Sequence, residues 1–187
     1  MSIKEIRIAG FGGQGVILSG QILGQAASIY EEGFATLTQS YGPEARGGSC
    51  MSEVVISDEP IDYPYVQNPN VLIILSQEAY SNHGQNLPDD TLMIIDPDLV
   101  KRDPSQNPPP FSIPATRMAR DMGRVVVANI IMLGFLAAVS EVVSPESLKK
   151  SVLASVPKGT EEFNAKAFDL GYNYGLEHGK ESEGANG

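Results

Sequence analysis

Six residues near the N-terminus have the spacing of a phosphate-binding glycine loop. They run Gly10-Phe-Gly-Gly-Gln-Gly15, after a stretch that alternates apolar and charged residues and before a run with helical periodicity. Glycines in this place let backbone N–H groups approach a phosphate at the start of a helix, where the helix dipole favours negative charge. The spacing therefore predicts either a loop that faces an anionic ligand or a tight turn with a purely structural role.

A dinucleotide such as NAD requires one further residue. In folds that bind it, an Asp or Glu about 20 residues further on, at the end of the second strand, binds the ribose hydroxyls. The corresponding segment, residues 36–40, reads Thr-Leu-Thr-Gln-Ser, and Glu31 and Glu32 come before the strand. This pattern disfavours a free-standing nucleotide-dependent dehydrogenase and leaves other anionic ligands open.

A second glycine-rich segment carries an isolated arginine. Tyr41-Gly42-Pro43-Glu44-Ala45-Arg46-Gly47-Gly48 holds the only arginine between Arg7 and Arg102. Loops at the carboxyl ends of neighbouring parallel strands lie side by side, so we expect this segment to share a crevice with the first loop. An arginine beside glycine-rich backbone suits a phosphate or carboxylate. A surface turn that uses these residues for backbone reasons alone is the alternative.

Few other side chains could do chemistry. Cys50 is the single cysteine, which excludes an intrachain disulfide, an iron–sulfur cluster or a cysteine-based zinc site. His83 and His178 stand far apart among polar or glycine neighbours, so we expect two solvated histidines rather than metal ligands. No nucleophile stands next to a base. We therefore predict no catalytic residue and no metal site on this chain, and an inert, buried Cys50.

The elements that must position the loops follow from the spacing of apolar residues. Strands are predicted at 3–8, 34–38, 51–57, 71–75 and 91–95, with helices after the first loop and over 77–86. The first of these helices has an apolar stripe, Leu18, Ile22, Ala26 and Ile29, and a stripe of small residues, Gly20, Gly24 and Ala27. The small residues predict close packing of this helix against its neighbours.

The second half of the chain reads as helices. Five prolines between Pro104 and Pro114 predict a surface crossing outside the sheet. The apolar run 125–139 predicts a buried helix, and Arg117, Arg120 and Arg124 share one face of the helix before it, which we expect to be solvated. The last helix should bury Phe163, Ala167, Leu170 and Tyr174. The fold class is thus a three-layer α/β/α Rossmann-like domain with a mostly parallel or mixed central sheet, over residues 1–176, with a flexible tail at 177–187.

The charge pattern bears on partners and location. The 187 residues carry a net charge of −10, which disfavours nucleic acid as a ligand. Residues 51–100 hold nine carboxylates and no Lys or Arg, which predicts a solvated face rather than a docking surface for a basic partner. The N-terminus lacks the pattern of a signal peptide, and the run 125–139 is short for a membrane span. With a single thiol, this favours a reducing cytoplasm.

Together the two loops resemble a known family. Residues 10–18, Gly-Phe-Gly-Gly-Gln-Gly-Val-Ile-Leu, followed by Gln-Ser-Tyr-Gly-Pro-Glu-Ala-Arg-Gly-Gly at 39–48, are similar to the gamma subunit of 2-oxoacid:ferredoxin oxidoreductases. The resemblance covers nearly the whole chain, including Asp62-Tyr-Pro64, residues 71–77 and Asn-Ile-Ile-Met-Leu-Gly at 129–134. The second loop is most similar to the 2-oxoglutarate type, with the pyruvate, branched-chain 2-oxoacid and indolepyruvate types less close.

The resemblance implies a subunit that is inactive alone. In the family, thiamine diphosphate and iron–sulfur clusters lie on alpha, beta and delta-type partners, and the complex converts a 2-oxoacid to an acyl-CoA with electrons passed to ferredoxin. The gamma subunit helps to wall the region where CoA enters. The implied CoA-facing residues are Gly12, Gly13, Gln14 and Gly15, with Tyr41, Arg46, Gly47 and Gly48. The alternative is a free-standing nucleotide- or CoA-binding Rossmann-like module without catalytic activity of its own. An exposed partner-facing surface would also allow the isolated chain to form a homodimer.

Overall fold

Six strands form one sheet in the computed structural model, which describes residues 3–44, 47–106 and 108–179. The strands are β1 (Ile3–Phe11), β2 (Phe34–Tyr41), β3 (Ser49–Ser57), β4 (Val71–Ile74), β5 (Leu92–Ile95) and β6 (Phe111–Ser112). Their order is β2-β3-β1-β4-β5-β6. β3 runs antiparallel to β2 and β1, and the pairs from β1 to β6 are parallel. The prediction of a mixed central sheet is confirmed.

Helices cover the two faces of the sheet unequally. They are α1 (Val16–Gln25), α2 (Gln77–His83), α3 (Ala115–Asp121), α4 (Ala128–Val139), α5 (Pro145–Ser155) and α6 (Glu161–His178). A π-helical turn, Ala26–Tyr30, extends α1, and a 3-10 turn, Val125–Val127, precedes α4. The larger core joins one face to all of these helices except α2, while α2 packs on the other face in a smaller cluster. The α/β fold class is confirmed.

The apolar run in the second half forms the centre of the larger core. In α4, Ile131 and Leu133 are fully buried and Phe135 is nearly so, as predicted for a buried helix. Alternation in β1 directs Ile6 and Ile8 to this core and Ala9 to the smaller one. Among the described residues, no helix is both long and apolar enough to cross a membrane.

Two predicted buried positions are wrong. Ile22 and Ala26 of the α1 stripe are buried and Leu18 is half-buried, but Ile29 is 62% exposed. Ile29 lies in the π-helical turn, where the wider winding rotates it away from the stripe that 3.6 residues per turn would give. On α6, Leu170 is exposed while Phe163, Ala167 and Tyr174 pack on the core.

The proline-rich segment and the C-terminal boundary also differ from the predictions. Phe111–Ser112 lies within that segment and forms β6, paired with Ile94 and Ile95. An edge strand tolerates neighbouring prolines because one side of its backbone needs no ladder bonds. α6 continues to His178, two residues into the predicted tail, and residues 180–187 lie outside the described ones.

Candidate functional site

The first glycine loop joins β1 to α1, as its spacing predicts. Gly13 and Gly15 have φ angles of 93° and 75°, in the left-handed region that side chains disfavour. Gly15 is the residue directly before α1, and its carbonyl accepts bonds from the backbone and the hydroxyl of Ser19. At Gly13 an added Cβ would meet no atom of the described residues within 4 Å. The loop therefore leaves its main chain open at Gly13.

Gln14 ties this loop to the next strand of the sheet. Its Oε1 accepts a bond from the Phe11 N–H at 2.6 Å, and its Nε2 donates to the Leu75 carbonyl at 2.7 Å. From β1 the chain goes to β2 and β3 on one side of the sheet, and it returns to β4 on the other. Gln14 thus bridges the point where the strand order reverses, the usual place for a ligand crevice in an open α/β sheet. Both polar ends of this side chain are already bonded within the protein.

The second loop contacts the first. The Gly12 N–H donates to the Gly48 carbonyl at 2.8 Å, and a Cβ added to Gly12 would lie 3.3 Å from the Gly47 Cα. The expected contact is therefore present, but the reason given for it is wrong. β2 and β1 are not neighbours: β3 lies between them, and Ser49 at its start pairs with Phe11 at the end of β1. A hairpin, rather than two adjacent parallel strands, places this loop.

The other residues of the second loop lie at the protein surface. Tyr41 is 68% exposed, and its hydroxyl donates to Gln39 Oε1 at 2.9 Å. Gly47 has a φ angle of 70°, and a Cβ added to it would meet no atom of the described residues within 4 Å. The Glu44 carboxylate packs against Gly42 and Gly48, within 2.6 Å of the place where a Cβ on Gly42 would be. Arg46, the predicted anion ligand, lies outside the described residues.

A cavity of about 190 Å³ adjoins the first loop at the carboxyl ends of β4 and β5. Gly13 and Gln14 contribute to its lining, and the apolar side chains that line it include Leu75, Val125 and Val126. The described side chains that line it include no Lys or Arg, whereas Asp96 is among them. The cavity therefore suits an uncharged group, and an anion would have to lie over the open main chain of the loops.

Two polar residues of this cavity were not assigned to a site from the sequence. Asp96 is 1% exposed, and its oxygens accept the N–H groups of Thr116, at 2.7 Å, and Asp98, at 2.9 Å. Asn129 is 4% exposed, and its Nδ2 has no partner among the described residues. A Cβ on Gly15 would lie 2.5 Å from that atom. The sequence signals that could have identified them are an acidic residue at the end of a strand, for Asp96, and an amide inside an apolar run, for Asn129.

A second cavity, of about 220 Å³, lies beside Cys50 and His83. Cys50 is 8% exposed, which confirms the prediction of a buried cysteine, and burial raises the pKa of its thiol. Burial, followed by the nearby Arg7, lowers the pKa of His83, against a smaller opposite effect of Glu53. His83 is half-buried, and His178 stacks on Tyr174 at 4.2 Å between ring centroids, so neither is the solvated residue predicted. The described residues hold no group of three potential metal ligands.

The charged groups singled out in the sequence have mostly local roles. Arg117 pairs with Asp98, Arg124 lies over the Phe163 ring at 5.1 Å from its centroid, and Arg120 is exposed. Of the nine carboxylates in residues 51–100, Asp96 is buried and Glu53 pairs with Arg7 at 2.7 Å. The remaining seven are exposed, as expected for a solvated face.

The protein has an α/β fold with a glycine loop at the point where the strand order reverses. The described residues form no catalytic group of side chains. The family model for pyruvate ferredoxin/flavodoxin oxidoreductase matches residues 5–174. The chain therefore belongs to this family.

Individual relatives specify the kind of subunit. The 2-oxoglutarate synthase subunit KorC of Methanocaldococcus jannaschii is 51% identical to this chain, and the alignment covers 93% of this chain and 95% of KorC. The pyruvate synthase subunit PorC of the same organism is 34% identical to this chain, and the alignment covers 90% of this chain and 95% of PorC. The solved gamma subunit of a keto/oxoacid ferredoxin oxidoreductase from Geobacter sulfurreducens superposes with a TM-score of 0.83 at 40% identity. The superposition covers 95% of this chain and 98% of the Geobacter subunit.

These findings confirm the resemblance and its order, with the 2-oxoglutarate type ahead of the pyruvate type. The chain is a gamma subunit of the 2-oxoacid:ferredoxin oxidoreductase type, and its relatives are subunits of larger oxidoreductases. A free-standing module is not favoured.

Proposed function

We propose that this chain packs beside the catalytic subunits of an oxidoreductase that acts on 2-oxoglutarate, and that its two glycine loops face the CoA of the assembled enzyme. The observation that carries the proposal is the contact of the loops through Gly12 and Gly48 at the switch point. This contact gathers seven of the eight residues implied by the resemblance into two adjoining loops. Tyr41 lies at the outer side of the second loop, and Gln14 supports the first.

The local backbone fits an extended anionic molecule such as CoA. Gly13 and Gly47 have left-handed conformations, and no atom of the described residues lies within 4 Å of a Cβ added to either, which leaves room for a ligand beside the main chain. The adjoining cavity offers apolar walls to an uncharged part of that ligand. Arg46 supplies the positive charge of the second loop for a phosphate.

The described residues do not fit the redox cofactors of the complex. An iron–sulfur cluster needs several thiolates, and Cys50 is buried with a raised pKa. We therefore assign the clusters, thiamine diphosphate and the contact with ferredoxin to alpha, beta and delta-type partner subunits. The domain of residues 1–176 contributes packing and the CoA-side surface.

Reconstitution with co-expressed partner subunits tests the proposal. We expect CoA-dependent reduction of ferredoxin with 2-oxoglutarate in preference to pyruvate, and no turnover by the isolated chain. Arg46→Ala should raise the KM for CoA by about tenfold, the loss of a charge-assisted bond, and leave the KM for 2-oxoglutarate unchanged. Arg120→Ala, which removes an exposed arginine on α3, is the matched control. An unchanged KM for CoA in the Arg46 variant would show that Arg46 of the second loop does not bind CoA.

A further inference from the structure

The two edges of the sheet are built differently. β6 has two residues, and Pro110 and Pro114 flank it closely. β2 has eight residues, Phe-Ala-Thr-Leu-Thr-Gln-Ser-Tyr, without proline or charge. Short strands, prolines and charges are the usual devices that keep an edge from pairing with another chain. β6 has two of these devices, and β2 has none.

The outer side of β2 is free to form hydrogen bonds. Among the described residues, the backbone of β2 bonds only to β3, so its outward N–H and C=O groups have no backbone partner there. Phe34 and Tyr41 at its two ends are 43% and 68% exposed. An edge of this length presents a template to which an extended segment can add as a further strand.

A groove beside β2 has room for the side chains of an added strand. It is open, has a volume of about 390 Å³, and lies between α1 and β2. On its helical side Gly20 and Gly24 line the groove together with Gln21 and Gln25, and Ala35 and Leu37 line its strand side. A Cβ on Gly24 would have only the Ala35 Cβ within 4 Å, at 4.0 Å. Alternate side chains of an added strand would project over this groove.

We propose that the edge of β2 is a docking site for a β-strand of a partner subunit, uncharged where it pairs and basic at the end that meets Glu31 and Glu32. The inference rests on the proposed function, which supplies the partner. Glu31 and Glu32 precede β2, whereas Glu44 and Arg46 after it carry opposite charges. A second copy would bring a further net charge of −10 to this edge, which disfavours pairing of two copies. Lys or Arg at one end of a strand from a different chain would instead complement Glu31 and Glu32.

Hydrogen exchange of the full chain, alone and in its purified complex, tests this docking. Alternate amides of β2 point outward and should exchange rapidly in the free chain. In the complex their exchange should slow by about tenfold or more, while β3 amides change little. Equal exchange in both states would overturn the inference, and so would protection in the free chain that increases with concentration, which would identify a second copy. Failure of any complex to form would instead refute the proposed function, and the inference with it.

Gly24→Leu separates docking from folding. The leucine should fill the groove without meeting backbone and should raise the Tm, because glycine is a poor residue for a helix interior. We expect it to weaken assembly by about tenfold. Asn173→Leu adds the same side chain to an exposed position of α6 and should alter assembly less than about twofold. Assembly that Gly24→Leu leaves intact, or that both variants weaken equally, would contradict a role for the groove.

Discussion

Glycines of the α4–α6 contact and glycines of the two loops meet opposite structural demands. A Cβ on Gly171 would lie 1.9 Å from the Ile131 carbonyl oxygen, and one on Gly134 would lie 2.0 Å from that of Phe168. A Cβ on Gly13 or Gly47 would meet no atom of the part of the chain that the structure describes, but the φ angles of these glycines are 93° and 70°. The helices need glycine because their backbones touch, whereas the loops need it because of the conformation of the main chain.

The difference separates stability from recognition. Close backbone contact in α4 and α6 leaves no surface for a ligand and makes each atom there part of the packing. The loops carry little packing and leave main-chain groups accessible. We therefore expect substitutions to reduce stability strongly in the helices and weakly in the loops, and to affect ligand binding in the reverse order.

Gly171→Ala should have the largest effect on stability. The methyl group collides with the backbone of α4, so the helices must separate, at a cost of about 3 kcal/mol or more. Denaturant unfolding measures it. Gly24→Ala is the matched control, a helical glycine with open space, and should stabilise the chain by up to about 1 kcal/mol. Similar stability of the two variants would show that the α4–α6 contact is looser than described.

Gly15→Ala should rank second, because both demands apply at this position. Its φ angle of 75° disfavours a side chain, and the Asn129 amide occupies the place of the Cβ. We expect a loss of about 2 kcal/mol in the free energy of unfolding. The double variant with Asn129→Ala removes the amide contacts at 2.5 and 2.6 Å and keeps the contact with the residue 129 Cβ at 3.0 Å. The combined loss should therefore be smaller than the sum of the single losses. Strict additivity would contradict the contact.

Gln14→Ala removes the link between the first loop and β4. Two hydrogen bonds to backbone groups are lost at a half-buried position, which should cost about 1 kcal/mol after water replaces part of them. Gln21→Ala, at an exposed position of α1, should be neutral within about 0.5 kcal/mol. Equal effects would mean that the bridge contributes nothing to stability.

Local sequence signals were enough to predict the two glycine loops. The features that were not predicted depend on tertiary contacts. Gly13 and Gly15 are readable because the backbone conformation they allow is a property of the residue itself. Ile29 was misplaced because a π-helical turn changes the periodicity on which burial was inferred. Asp96 and Asn129 reach the cavity only when α3 and α4 fold over the sheet, and no spacing in the chain encodes that meeting. The loop contact was predicted for the wrong reason, since the antiparallel hairpin of β2 and β3 is a pairing choice that apolar runs alone do not specify.

Gly13→Ala should have a small effect on stability, similar to that of Gln14→Ala, and a distinct effect on function. Alanine in a left-handed conformation costs about 1 kcal/mol, and no atom opposes its methyl group. If CoA approaches the main chain here, the methyl group should raise the KM for CoA in the assembled enzyme by about fivefold. Gly159→Ala is the matched control, because Gly159 also has open space and a φ angle of 85° but lies between α5 and α6. The Gly159 variant should lose the same stability and keep the wild-type KM for CoA. An equal KM for CoA in both variants would mean that the first loop has only a conformational role.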